Sequence, residues 1–205
     1  MLARLSNSWI LDGGCRMGAS PERGLGGEMV VASTGDEREA EEDAEKNLRE
    51  GEFEMYRELI EGQRGAAGVL AALIEGVGEE ALRRVPGPGK WSVRAILAHM
   101  AEDELSSSWR YRQMIEHSGI ELMGFDQDLW ARLGDYENWT AGEGLAMFRA
   151  LREANLRMLA NLSPQEWQCY GVHAERGRMT VAELARHMAG HDERHILQIR
   201  RLLVT

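Results

Sequence analysis

The sequence predicts an all-α fold: a four-helix bundle with a long connection between its second and third helices. Three observations point to it. Apolar residues recur three and four apart over four long segments, which is the spacing of one helix face. Helix starts are announced by capping boxes at Thr140-Ala141-Gly142-Glu143, Ser163-Pro164-Gln165-Glu166 and Thr180-Val181-Ala182-Glu183, where hydroxyl and carboxylate each satisfy a free backbone donor. Few segments alternate as strands do. A chain of 205 residues with 43% hydrophobic content is long enough for one sizeable core.

The elements follow in order. Residues 1–35 hold seven glycines and no sustained periodicity, the composition of a weakly ordered tail. From Asp36 the chain turns acidic and helix-prone, the pattern of a solvated helical face. The expected organisation is an extension over residues 1–50, low in complexity and either disordered or an acidic helix. One bundle domain is then expected over 51–205. Leu59, Ile60, Val69, Leu70, Leu73 and Ile74 mark a first core helix ending near Gly76. Pro86-Gly87-Pro88-Gly89-Lys90 is a firm breaker, after which Ser92 caps a second helix through Val93, Ile96, Leu97 and Met100 to Met114 and Ile115. The connection from His117 to Trp139 carries Phe125, Trp130 and Trp139 and is expected to pack across the bundle. Leu145, Phe148, Leu151, Leu156 and Leu159 form the third helix. A short helix follows Ser163, and the last helix follows Thr180.

The net charge of −10 argues against nucleic acid, whose backbone is bound mainly through Lys and Arg. No apolar run approaches the length of a membrane span. Cys15 and Cys169 have no CxxC spacing, and a cytoplasmic setting is expected.

The last helix carries the chemistry. His187, His191 and His195 recur every four residues, and residues at that spacing stack on nearly one helix face. Two such imidazoles can share a metal ion. His187 and His195 lie about 12 Å apart along the axis, too far for one ion with bonds of roughly 2 Å. The apolar stripe of Val181, Leu184, Met188, Ile199 and Leu202 puts His195 near its middle, His191 on its shoulder and His187 about 40° further out. The expected pair is therefore His191 and His195. Gln198 is a nearby hydrogen-bond partner. A third ligand must come from another element, and His99, Asp103, His117 and His173 are the candidates. An unligated buried pair would have to hydrogen-bond four ring nitrogens or depress its pKa values, which favours metal. Asp103, one turn from His99, is a candidate base. Arg110, Arg112 and Arg194 are candidates to neutralise an acidic substrate, although a solvated surface role is the ordinary expectation for each. Trp91 suits packing at the start of the second helix.

Several segments together resemble the DinB-like, YfiT-type metalloenzyme superfamily. They are Lys90-Trp91-Ser92-Val93-Arg94-Ala95-Ile96-Leu97-Ala98-His99-Met100, then Gly171-Val172-His173, then Gly177-Arg178-Met179-Thr180-Val181-Ala182-Glu183-Leu184, and His191-Asp192-Glu193-Arg194-His195-Ile196-Leu197-Gln198-Ile199. The resemblance spans about residue 53 to the C-terminus. It implies a bundle holding a divalent metal on three histidines, here His99, His191 and His195. Zinc or nickel is the first expectation, with iron or manganese as further options. Family members include transferases that use a low-molecular-weight thiol. The resemblance therefore implies a small-molecule substrate, a thiol cosubstrate, S-transferase or hydrolase activity, and a homodimer. The competing expectation is a noncatalytic metal-binding or stress-related bundle.

Overall fold

The computed structural model describes residues 35–204, so the glycine-rich segment expected to be weakly ordered lies outside the described residues. Helix α1 (Gly35–Arg64) runs unbroken past residue 50, where the composition sets the boundary between extension and bundle. Helix α2 (Ala66–Ile74) follows α1 after a break at Gly65, so the expected first core helix falls into two helical pieces. A short α3 (Glu79–Arg83) precedes the Pro-Gly breaker. Helix α4 (Val93–Glu116) starts where Ser92 Oγ accepts from the Ala95 N–H. Helix α6 (Ala141–Leu159) starts at the first capping box: Thr140 Oγ1 accepts from the Glu143 N–H while the Glu143 carboxylate accepts from the Thr140 N–H.

 Between α4 and α6, the long connection folds into strand β1 (Ile120–Leu122), helix α5 (Gln127–Leu133) and a 3₁₀ turn at Tyr136–Asn138. Asp126 caps α5 by accepting from the Asp128 and Leu129 N–H groups. As expected, this connection packs across the bundle: the Trp139 indole donates to Gly134 O, and Arg94 of α4 donates to Trp139 O.

Helix α7 (Pro164–Trp167) starts at the second capping box, with proline at the first turn, and buries Trp167 against Tyr56 of α1 in a parallel stack 4.6 Å between ring centres. Helix α8 (Val181–Val204) starts at the third box, where Thr180 and Glu183 cap each other. The four long members α1/α2, α4, α6 and α8 form the bundle, with α4 packed most extensively on α6 and then on α8.

A small sheet is the element that the sequence pattern does not show. Strands β2 (Tyr170–His173) and β3 (Gly177–Thr180) form a hairpin, and β1 adds to β2 in parallel, with Ile120 opposite Gly171 and Leu122 opposite His173. Each strand has only three or four residues, too few to display a period of two. Gly177 turns the hairpin at φ +70, a conformation that glycine adopts freely. The sheet leads directly into α8 and fixes where that helix begins.

The apolar core falls into two main parts. One holds Tyr56, Tyr111, Met114, Leu156, Leu159 and Leu184; the other holds Leu70, Ile96, Leu97, Met100, Phe148 and Ile199. On every bundle helix a polar stretch separates the two. It comprises Gln63 on α1, His99, Asp103, Glu104 and Ser107 on α4, Arg152 and Asn155 on α6, and His191, Asp192 and the half-buried His195 on α8. Buried polar groups need partners, so this layer is where the bundle's specific chemistry is concentrated.

Candidate metal centre

Three imidazoles meet in the polar layer. His99 comes from the first half of α4, and His191 and His195 from successive turns of α8. His99 Nε2 lies 3.0 Å from His191 Nε2, and His195 Nε2 lies 3.1 Å from the same atom. One nitrogen from each ring falls within 4.8 Å of the others. His99 is 3% and His191 8% exposed, while His195 is half-buried.

The wheel put His195 at the centre of the apolar stripe and His191 at its shoulder. His191 is the more buried because this stretch of α8 faces the polar layer, not the apolar core. His195 Nδ1 pairs with Gln198 Oε1 at 2.9 Å, as the spacing suggested, which leaves Nε2 directed to the cluster. The Trp91 ring packs on His99, 4.8 Å between centres, and meets the edge of Tyr136. Tyr136 in turn donates to Glu102 Oε2 at 2.6 Å. Trp91 therefore has the packing role expected of it, and the ring it supports is His99.

The donor set fits a cation better than it fits hydrogen bonding. An imidazole nitrogen has one in-plane position, so it can donate or accept once. His191 Nε2 faces two neighbouring Nε2 atoms, and one proton cannot serve both well. A cation with bonds of roughly 2.0–2.1 Å separates adjacent donors by about 2.9–3.4 Å at octahedral to tetrahedral angles, the spacing of both His191 contacts. Burial, together with the neighbouring His195, pushes His99 down to about 3. Burial, then His195 and His99, pushes His191 down to about 2. Burial also lowers His195. All three rings are thus neutral near pH 7, the form that binds metal.

Asp103 is one turn beyond His99, buried, with Oδ2 3.5 Å from His191 Nε2. Burial raises its carboxyl to about 6 against the lowering influence of Arg110. A cavity of about 360 Å³ opens on the cluster, and His99, His191, His195 and Asp103 form part of its wall. The remaining sequence candidates separate clearly. His173, on β2, and His187 line the cavity but stand outside the cluster. His187 Nδ1 contacts Arg176 at 3.0 Å. His117 ends α4 on the exposed surface. Arg110 and Arg194 also line the cavity, whereas Arg112 bonds Ser108 on its own helix.

The sequence reading did not single out Arg152. Its guanidinium, 1% exposed, joins Glu104 of α4 at 2.8 Å and Asp192 of α8 at 2.6 Å, and donates to Gln63 O of α1 at 3.0 Å. Asn155 completes the group by donating to Glu104 Oε1 at 2.8 Å. Burial opposes the charge on Arg152, but its two carboxylate partners outweigh that and raise its pKa. An arginine on the inner side of α6 was the available signal.

The sequence profile of the DinB superfamily matches residues 36–199. This chain belongs to the DinB superfamily. Among its relatives, OB0413 of Oceanobacillus iheyensis is 23% identical over 131 residues, 64% of this chain and 75% of that protein. YfiT of Bacillus subtilis is 23% identical over 115 residues, 56% of this chain and 65% of YfiT. Both are named as candidate metal-dependent hydrolases. The solved structure of YfiT, described as a probable metal-dependent hydrolase with an unusual four-helix bundle topology, aligns with a TM-score of 0.67 at 20% identity. It covers 72% of this chain and 85% of YfiT, which establishes the DinB bundle as the fold here. No helix among the described residues is long and apolar enough to cross a membrane.

Proposed function

We propose that this DinB protein is a metal-dependent enzyme that holds one divalent cation on His99, His191 and His195 and acts on a small molecule admitted through the adjoining cavity. The convergence of three neutral Nε2 atoms carries the reading. A divalent cation there supplies Lewis acidity, lowering the pKa of a water or low-molecular-weight thiol so that a nucleophile is available at neutral pH. Zinc and nickel both suit three imidazoles.

The chain's own residues do the rest. Gln198 fixes the tautomer of His195. Trp91 fixes the ring of His99 by contact. Asp103 would serve as the proton acceptor on the cavity wall, a reading supported by its carboxylate beside His191. No cysteine lines this cavity among the described residues, so any thiol must arrive as a cosubstrate. The cavity also favours an enzyme over a purely structural centre, since closed structural sites leave no space for a reactant.

Metal analysis of full-length protein purified without chelator tests the centre. The expected result is close to one equivalent of divalent metal, lost in His191→Ala, with zinc or nickel raising the melting temperature of stripped wild type but not of the variant. Absence of bound metal and of any such shift would refute the centre. Turnover of an ester and of a thiol-acceptor electrophile, each with and without added thiol, then separates hydrolase from S-transferase. Metal binding without turnover in either assay would favour the noncatalytic alternative.

A further inference from the structure

The cavity beside the histidine cluster has a second wall that the metal centre does not use. Arg110, Arg176 and Arg194 line it, together with His173 and His187. Asp103 and Glu175 are the carboxylates on the same lining, so three guanidiniums face two carboxylates. This local excess of positive charge is notable in a chain whose net charge is −10. Focusing of field in a cleft makes such a reversal effective on small ions.

The two histidines add donors. Arg176 Nη1 is 3.0 Å from His187 Nδ1, and an arginine can only donate, so Nδ1 accepts and the ring proton sits on Nε2. His173 Nδ1 accepts from the Glu175 N–H at 3.2 Å, which likewise leaves its proton on Nε2. Each ring thus retains one N–H while neutral. Arg110 is held in place: it donates to Met123 O at 2.7 Å and lies over the Phe125 ring at 5.6 Å. Arg194 and Arg176 are exposed at the rim, where an incoming ligand meets them first. The wall therefore offers N–H donors and net positive charge, and the elements that carry it are α4, the β2–β3 hairpin and α8.

We infer that this wall is an oxyanion subsite, built by Arg110, Arg176, Arg194, His173 and His187, which binds the carboxylate or phosphate of a small organic substrate while the metal centre acts elsewhere on the same molecule. Assigning the bound anion as a substrate rests on the metal-dependent reading above; the anion site itself does not. Arginine suits this role because its planar fork matches the oxygens of carboxylate and phosphate alike.

The test uses full-length protein and three ligands: benzoate, phenyl phosphate and the neutral benzamide. Binding is measured by calorimetry on chelator-stripped protein, so that the anion cannot bind through metal. The expected result is that at least one anion binds about tenfold or more tightly than benzamide. The preference should vanish in Arg176→Ala/Arg194→Ala and partly return in Arg176→Lys/Arg194→Lys. Which anion binds better identifies carboxylate or phosphate as the group recognised. Equal binding of all three ligands, or a preference that survives in the alanine double variant, overturns the inference. Stabilisation of both double variants by zinc controls for folding and reads the metal centre separately. Anion preference without any zinc effect in wild type would refute the metal centre and leave the anion subsite standing. A zinc effect without anion preference would do the reverse.

Discussion

Arg152 holds Asp192 by both carboxylate oxygens, Nη1 to Oδ2 at 2.6 Å and Nη2 to Oδ1 at 3.0 Å, one residue past His191 on α8. The same guanidinium binds Glu104, five residues past His99 on α4. The network thus ties together the two helices that supply the histidine cluster. Removing one partner of a buried ion pair leaves the other charge uncompensated, at a cost of about 3–5 kcal/mol. Arg152→Met should lower stability by about that amount in urea unfolding. It should also weaken zinc binding by roughly tenfold, as loss of supporting residues around a metal commonly does. A variant that folds and binds zinc as wild type does would limit the network to a structural role.

Gly144 sets the distance between α6 and α4. A Cβ at this position would stand 3.0 Å from Ala98 N and from Leu97 C, backbone atoms beside His99. These atoms cannot yield as a flexible side chain can. Gly144→Val should therefore cost about 1–3 kcal/mol through overpacking and move His99 away from the α8 pair. Thermal unfolding checks the first effect, and the zinc-induced shift in melting temperature, expected to shrink, checks the second.

The hydrogen-bonded start of α8 yields a contrasting prediction. Thr180 and Glu183 close a capping box ahead of the histidines but touch none of them. Thr180→Ala should lower stability by about 1 kcal/mol, typical of a lost N-cap. Its zinc affinity should match that of wild type, because two full helical turns separate the cap from His191. A large loss of zinc affinity would mean that the helix start, and not the polar layer, positions the ligands.

Much of this architecture could be read from residue order. Ser92, Thr140, Ser163 and Thr180 each begin a helix, because capping is local chemistry written in four consecutive residues. The pair His191 and His195 followed from helix periodicity alone. The place of His99 in the cluster did not, since the wheel left it at the edge of its stripe, and only the resemblance selected it. Arg152, which the sequence did not single out, reaches its carboxylate partners across long separations, 40 residues to Asp192 and 48 to Glu104. Periodicity within one helix carries no information about such pairs. Strands of three or four residues escaped for the converse reason, being too short to show a pattern.

The buried rings make the metal-free protein sensitive to acid, and the sign follows from their depressed pKa values. His99 and His191 titrate near 3 and 2 when folded and near 6.5 when unfolded. Between those values the unfolded chain takes up protons that the folded chain refuses. Their contribution is therefore fully present above about pH 6.5 and is lost as pH falls, by about 2 kcal/mol for each ring at pH 5. His195, also lowered by burial, acts in the same direction. Asp103 and Asp192, both raised to about 6 by burial, act in the opposite direction, since the folded state then binds the extra proton. Each offsets roughly 1 kcal/mol at pH 5. The net expectation is a loss of about 1–3 kcal/mol between pH 7 and pH 5 for chelator-stripped protein, measured by urea unfolding. His99→Gln should flatten the profile, because one of the titrating rings is gone. A stability that is flat or rises on acidification in wild type would mean that the cluster is not buried as neutral imidazoles.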